Sequence, residues 1–211
     1  VLGCGGTITR LIKNNFEAYT LILGEGITSR DDVRNRKKRE KEISVLKKQI
    51  KKANRIIGVK EIFTSDFPDN RFDDISLIDI IKAIEKIKDI IKPDIIFTHY
   101  ENDLNIDHRL TYQAVLTASR PLKDETVKEI YSFEILSSTE WNYPLSFSPD
   151  VYFDITDTLE IKKKAMSEYQ FELREFPHPR SLESIELSAK FWGIKIGLKY
   201  AEAFKCVRIV K

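Results

Sequence analysis

The chain has 211 residues, of which 42% are hydrophobic and 32% charged, and this mixture excludes a disordered or collagen-like protein. The length predicts one domain with a sizeable core, and no apolar run approaches the roughly 20 residues that cross a membrane. The net charge is only +2, and two cysteines, Cys4 and Cys206, exclude a disulfide framework, which favours a reducing, cytoplasmic location.

The chain begins with a glycine-rich turn. Residues 2–7 read Leu-Gly-Cys-Gly-Gly-Thr and lead into a short helix through Ile12. The spacing of the glycines matches neither the dinucleotide-binding fingerprint nor the phosphate-binding P-loop. We therefore expect the glycines to let the helix pack tightly on a strand, with phosphate binding at the turn as the alternative.

A strongly basic stretch comes next. Residues 33–60 hold 12 lysines and arginines against two acids, a local charge of +10, so the rest of the chain sums to −8. Apolar residues recur there at steps of three and four, which predicts a helix with one apolar stripe: Ile43, Leu46, Ile50, Ala53 and Ile57. We interpret the opposite, basic face as solvated. Contact with an anionic partner such as phosphate, a lipid surface or an acidic glycan is the alternative.

Strands and helices alternate along the remaining chain. The predicted strands are 17–23, 60–65, 94–98, 129–136 and a peripheral strand at 147–155. The predicted helices after the basic one are 76–91, 110–119, 158–173 and 182–199, before a final segment at 206–210. This alternation predicts an α/β fold with a mostly parallel sheet, helices on both faces and ligands bound at the carboxyl ends of the strands.

Two of the three histidines lie in one loop after the predicted strand 94–98. His99 and His108 share that loop with three acids and two asparagines. At the carboxyl end of a strand, this composition predicts a metal or acid–base site. The structural alternative is that Asp107 caps the next helix and His108 packs beside it. A zinc site needs three or four ligands, and this loop offers one or two.

Three other loops carry basic side chains. Arg30 follows strand 17–23, Arg71 follows strand 60–65, and His178 and Arg180 lie in a Pro-His-Pro-Arg turn. We expect these four residues at the pocket, where arginines suit an anionic or hydroxyl-rich substrate. The alternatives are a salt bridge from Arg71 to Asp69 or Asp73 and a purely structural turn around residues 177–180.

Together these segments resemble the PIG-L/LmbE family of zinc-dependent N-acetylglucosamine deacetylases. Residues 1–8 look like the stretch after the family's His-Pro-Asp-Asp-Glu signature, and residues 105–109 (Asn-Ile-Asp-His-Arg) look like its second signature, His-Pro-Asp-His. Residues 176–181 and 197–204 resemble carboxyl-terminal features of a bacterial branch. The resemblance spans nearly the whole chain and implies one Rossmann-like deacetylase domain over residues 1–211.

The resemblance also implies a chemistry, metal-assisted hydrolysis of an N-acetylated sugar. His108 matches a metal ligand for Zn2+, with Fe2+ suited to the same kind of site. Asp107 matches the carboxylate that orients the oxyanion-stabilising group. Asn105 stands where many members carry histidine, so it can donate a hydrogen bond to the oxyanion but cannot supply a proton. We expect His178 or the general base to protonate the leaving amine instead.

The first signature is absent, and the only methionine is Met166. We therefore expect the chain beginning at Val1 to be amino-terminally incomplete, without the first strand of the sheet. The remaining metal ligands and the general base are expected upstream of Val1. On this hypothesis residues 1–211 alone bind zinc weakly and are inactive, whereas the parent protein is an active enzyme.

Other classes of function are weaker interpretations. A non-catalytic carbohydrate- or nucleotide-binding module on the same fold is the main alternative, because fold alone does not decide function. Nucleic-acid binding is disfavoured by the near-neutral charge and by the lack of aromatic residues between Arg34 and Arg55. The expected partner is a small N-acetyl sugar conjugate, with a homo-oligomer left open.

Overall fold

The strands of this protein form two sheets. The structure, a computed structural model, describes all residues from 1 to 211. In chain order its elements are α1 (Gly5–Lys13), β1 (Tyr19–Gly24), α2 (Glu40–Ile57), β2 (Glu61–Phe67), α3 (Leu77–Ile91), β3 (Ile95–His99), α4 (Ile106–Ala118), β4 (Glu129–Phe133), β5 (Val151–Asp154), α5 (Leu159–Ser167), α6 (Leu182–Ile194) and β6 (Ala201–Ile209).

The predicted α/β fold is confirmed, with a more mixed sheet topology than expected. β1 pairs with β2 in parallel, and β3 pairs with β4 in parallel, as the alternation of strands and helices predicts. The final strand β6 instead lies antiparallel between β4 and β5. Its buried residues Ala203 and Phe204 are consecutive and so lie on opposite faces of the sheet, as expected of a strand in the interior of a sheet that is covered on both faces. β5 is at the edge of its sheet, as predicted.

Helices cover both faces of β1. The Thr20 hydroxyl donates to the side chain of Asn54 in α2 at 2.8 Å, whereas Leu23 packs in a cluster with α3 and α4. Successive strand residues point to opposite faces, so α2 and α3 lie on opposite sides of this sheet. Ile96 of β3 joins the same cluster. The α3–α4 layer therefore spans both sheets and aligns their carboxyl ends.

The basic helix has the predicted apolar stripe. Ile43, Ile50, Ala53 and Ile57 of α2 are buried, and its lysines point to solvent. Part of the positive charge before the helix is balanced locally, since Arg39 binds the Asp31 carboxylate at 2.7 Å. No helix in residues 1–211 is both long and apolar enough to cross a membrane.

The glycine-rich turn packs tightly, as predicted. A Cβ at Gly6 would lie 2.9 Å from Ile155, just beyond β5, and one at Gly3 would overlap the ring of Phe133 at the end of β4. A larger residue at either position would push α1 off the sheet.

The phosphate alternative for this turn is wrong. The carboxylate of Glu202 in β6 accepts the backbone N–H groups of Gly6 and Thr7 at 3.0 and 2.7 Å. The chain's own anion thus occupies the position where a phosphate would bind a helix N-terminus. Lys162 pairs with Glu202 at 2.6 Å, and both side chains are less than a tenth exposed, so the charge is balanced inside the protein.

Candidate active site

The candidate site lies where β3 ends and α4 begins. Asn105 is the N-cap of α4, and its side-chain oxygen accepts the N–H groups of Asp107 and His108 at 2.8 and 3.4 Å. Capping by a short polar side chain satisfies donors that have no partner within the helix. The helix therefore starts at Ile106, four residues before the predicted start, and Asn105 takes the capping role that the structural alternative gave to Asp107.

Asp103 organises the loop in front of this helix. It is fully buried and accepts hydrogen bonds from the Asn105 N–H at 2.8 Å, the Thr139 hydroxyl at 2.5 Å and the hydroxyl of Ser138. A fourth contact joins its Oδ1 to Nδ1 of His108 at 3.0 Å. Burial alone would raise the pKa of Asp103, but these hydrogen bonds outweigh burial and lower the pKa to about 2. The carboxylate is therefore ionised at neutral pH.

His108 is held on two sides. Its Nδ1 faces the ionised Asp103, and its ring stacks on His99 with the centroids 3.9 Å apart and the planes within 6°. Burial lowers the pKa of His99 well below its ordinary value, so that ring is neutral beneath His108. The side chain of His108 is 22% exposed, which leaves Nε2 as the nitrogen available to a ligand.

Asp107 anchors a neighbouring loop. Its two carboxylate oxygens accept the backbone N–H groups of Asn70 and Phe72 at 2.7 and 3.0 Å. Burial outweighs these hydrogen bonds and raises the pKa of Asp107 above its usual value. The carboxylate makes no contact with the Asn105 side chain. Instead the amide of Asn105 donates to Oδ1 of Asn70 at 2.7 Å, so the Asp107 carboxylate is linked to the Asn105 side chain through the loop at 70–72.

Two of the predicted arginines meet on one carboxylate. Arg30 and Arg180 bind the two oxygens of Glu172 at 2.8 and 2.5 Å. Arg180 also bonds Oγ of Ser137 at 2.5 Å, next to the serine that donates to Asp103. The loop after β1, the turn at 177–180 and the loop after β4 therefore converge beside the histidine loop.

The other two predicted binding residues, His178 and Arg71, make fewer side-chain contacts. His178 accepts the N–H of Arg180 at its Nδ1, at 3.0 Å, and its ring lies edge-on to Trp141 with centroids 5.9 Å apart. Arg71 is 38% exposed, and its one carboxylate neighbour, at 3.9 Å, is Asp74 rather than Asp69 or Asp73. At that distance and exposure the ion pair contributes little, so the guanidinium remains available to a substrate.

Sequence reasoning missed the residues that hold the site together. Asp103 was one of three acids in the histidine loop. Its position five residues before His108 was the sequence feature that could have indicated their contact. Asn70 had a signal too, because asparagine in a polar Pro-Asp-Asn-Arg turn favours the left-handed conformation it adopts, at φ +53°. Ser138 and Thr139 carried no local signal, since their role depends on contacts with a carboxylate 35 and 36 residues away.

The amino-acid sequence matches the profile of the PIG-L family, described as GlcNAc-PI de-N-acetylase, over residues 1–119, more than half of the chain. The chain belongs to the PIG-L family. The match includes the whole loop from Asp103 to His108, whereas Ser138, Thr139, Glu172 and Arg180 lie beyond it. The resemblance noted in the sequence is confirmed, and family membership supports a deacetylase.

Two proteins described as deacetylases are similar to this PIG-L chain. An uncharacterized deacetylase of Escherichia coli, YaiS, is 27% identical over 161 residues, which cover 74% of this chain and 76% of the relative. The N,N'-diacetylchitobiose deacetylase of Pyrococcus horikoshii has a TM-score of 0.74 at 21% identity, covering 98% of this chain and 79% of that one.

The same fold also carries other chemistry. The 4-carboxy-2-hydroxymuconate hydratase GalB of Pseudomonas putida has a TM-score of 0.73 at 17% identity, covering 100% of this chain and 92% of that one. Structural likeness at these identities therefore shows the fold alone. The evidence for a deacetylase comes from the PIG-L match and from the E. coli relative.

Of the site residues, His108 fits the metal expected in this family. A metal-binding histidine usually has its second ring nitrogen on a carboxylate, which sets the tautomer and the ring orientation. Asp103 provides that carboxylate at 3.0 Å and is itself ionised and fully buried. No group of three or more His, Cys, Asp or Glu side chains in residues 1–211 is arranged to hold a metal. Residues 1–211 therefore fit a metal through one ligand, His108, whose ring is oriented by Asp103.

Proposed function

We propose that this protein is an N-deacetylase that hydrolyses the acetamide of an N-acetylated amino sugar, an N-acetylglucosamine-type conjugate. The observation that carries the proposal is the pairing of His108 with the ionised Asp103, next to an amide donor at Asn105. Such a pairing suits a metal ligand beside a group that can donate to a carbonyl oxygen. The family match and the E. coli relative support the same reaction.

We assign the metal contact to Nε2 of His108. Zn2+ is the first choice and Fe2+ the second, because both accept imidazole nitrogen as a ligand. When bound, such an ion polarises a carbonyl and lowers the pKa of a water. His108 contributes a fixed ligand direction, since its Nδ1 is held by Asp103 and its ring is supported by His99.

Asn105 would donate a hydrogen bond to the acetyl oxygen. Its side-chain oxygen is used by two backbone N–H groups of α4, so only its NH2 group can face a substrate. A neutral donor placed at a developing oxyanion is worth about 2.7–4 kcal/mol where such donors have been removed. Because an amide does not titrate, this contribution would stay constant across the working pH range.

The leaving amine needs a separate proton donor, and we propose His178. Its Nδ1 accepts the Arg180 N–H, so in the neutral ring the proton sits at Nε2. The exposed Arg71 and the pair Arg30 and Arg180 would bind hydroxyl or anionic groups of the conjugate. One carboxylate, Glu172, faces the last two arginines, so a positive charge is left for the substrate.

The test is an acetate-release assay of the full-length protein on a panel of N-acetylglucosamine conjugates. We expect release that a chelator abolishes and that Zn2+ or Fe2+ restores, with roughly one metal per chain. His108→Ala should remove activity and lower metal content, whereas Lys48→Ala, on the basic face of α2, should change neither. Release that resists the chelator would contradict the metal assignment. Binding of the conjugates without any acetate release would favour the carbohydrate-binding module.

We also propose a cytoplasmic location, because Cys4 and Cys206 are both free thiols, as a reducing compartment would keep them. Trapping of the free thiols in intact cells with a membrane-permeant but not a membrane-impermeant reagent would test it. Labelling by the impermeant reagent would contradict the assignment.

A further inference from the structure

Asn70, in the loop after β2, combines a left-handed backbone conformation with two side-chain hydrogen bonds to other loops. It has a positive φ of +53°, in the left-handed region that asparagine adopts more easily than most other non-glycine residues. Its side chain bridges two other loops, because Oδ1 accepts from Asn105 at 2.7 Å and Nδ2 donates to Oγ of Ser29 at 3.1 Å. An asparagine whose side chain is hydrogen-bonded at both ends to other loops has a role beyond that of forming its own turn.

The amide of Asn105 has little freedom as a result. Its Oδ1 accepts two backbone N–H groups, so a flipped amide would set NH2 against N–H and is excluded. One of its two Nδ2 hydrogens goes to Asn70. A single N–H remains for a substrate, and its direction is defined at both ends of the amide.

Asn70 is itself fixed from three sides. Its backbone N–H donates to Asp107 at 2.7 Å, and its left-handed conformation sets where the side chain starts. The serine that receives its Nδ2 donates in turn to Oδ2 of Asp69 at 2.5 Å. The loops after β1, β2 and β3 are thereby joined in the order Ser29, Asn70, Asn105.

We propose that Asn70 is a positioning residue that orients the Asn105 amide toward the acetyl oxygen. The proposal rests on the deacetylase function proposed above. Preorganised donors accelerate a reaction because they do not have to reorient as charge develops on the oxyanion. Losing the orientation of a donor should therefore lower kcat more than it raises KM.

Asn70→Gly is the decisive variant, because glycine adopts a positive φ at no cost and removes only the side chain. We expect kcat to fall on the order of 10-fold with KM nearly unchanged, which is less than complete loss of the donor costs. Asn15→Gly is the matched control. Asn15 also has a positive φ, of +68°, and is exposed at the end of α1.

Two further measurements separate orientation from folding. In an Asn105→Ala background, Asn70→Gly should have no additional effect on kcat, because Asn70 acts through the amide already removed. Asn70→Asp keeps an acceptor for Asn105 and should recover part of the lost rate. The side-chain NH2 signals of Asn105 in NMR spectra should shift and exchange faster in Asn70→Gly but not in Asn15→Gly.

The outcomes distinguish this inference from the function on which it rests. Unchanged kcat and unchanged Asn105 amide signals in Asn70→Gly would overturn the positioning role. A full additional loss in the Asn105→Ala background would also overturn it, since Asn70 would then act by another route. No acetate release from the wild type, with the amide signals shifted as expected, would instead overturn the deacetylase proposal.

Discussion

Asp103→Asn tests whether the buried negative charge of Asp103 stabilises the candidate site. The carboxylate accepts four hydrogen bonds, and its pKa is lowered from 3.8 to about 2. A depressed pKa means that the folded state favours the ionised form, so this stabilisation is complete above pH 3.8 and fades as the pH falls toward 2. The difference between these two pKa values corresponds to about 2 kcal/mol of stability at neutral pH.

Asparagine keeps the shape but removes the charge and replaces one acceptor oxygen with a donor. We expect the free energy of unfolding at pH 7 to fall by about 2–3 kcal/mol, because charge-assisted hydrogen bonds are lost at a fully buried position. The assay is urea unfolding of the wild type and the variant between pH 7 and pH 3. Asp89→Asn, in the exposed last turn of α3, is the control and should change little.

The pH dependence separates charge from shape. The difference between the wild type and Asp103→Asn should shrink by roughly half between pH 7 and pH 3, as the unfolded wild type takes up a proton. A deficit of the same size at both pH values would refute the reasoning, since it would then come from packing. The variant should also lose metal affinity, because His108 no longer has an anionic partner.

Three other substitutions test the packing and electrostatics of the fold. Gly6→Ala should destabilise the protein by about 1–3 kcal/mol in urea unfolding, whereas Gly5→Ala, where a Cβ meets its nearest atom at 3.5 Å, should be tolerated; equal effects would contradict the close packing of α1. Glu202→Gln should cost about 3–5 kcal/mol because it leaves a buried lysine without its counter-ion, and a loss under 1 kcal/mol would show that the pair is not needed. Burial raises the pKa of Glu134 to about 7, and its Oε1 accepts from Trp192 at 2.6 Å. Because a raised carboxyl pKa makes ionisation unfavourable in the folded state, stability should decline between pH 4.5 and 7, and Trp192 fluorescence should titrate near pH 7 in the wild type but not in Glu134→Gln.

Local sequence patterns predicted most of the elements. The helix over 76–91 appears as α3 with one residue removed, because apolar residues recur along one face and Pro93 follows. The helix expected over 158–173 ends at Ser167, and Phe171, which continues the apolar pattern beyond it, is 45% exposed and so adds little burial to a longer helix. The helix expected over 182–199 ends at Ile194, where the N–H groups of residues 196 and 198 turn back to the Gly193 carbonyl.

The candidate site was only partly predictable. The sequence placed Asn105, Asp107 and His108 together because they share one loop after a strand. It assigned Asp107 to orient the oxyanion donor, yet that carboxylate binds the backbone of the loop at 70–72 and acts on Asn105 through Asn70. Side-chain direction decides such contacts, and a one-dimensional pattern does not contain it.

The sequence by itself determined the α/β class, the family and the loop that carries His108, because periodicity and short motifs depend on residues close together in the chain. Only the tertiary structure decided which groups hold that loop. Ser29 and Asn70 are 41 residues apart, and Asn70 and Asn105 are 35 apart, yet each pair shares a hydrogen bond. These contacts exist because the α3–α4 layer aligns the carboxyl ends of β1, β2 and β3 at one edge of the fold.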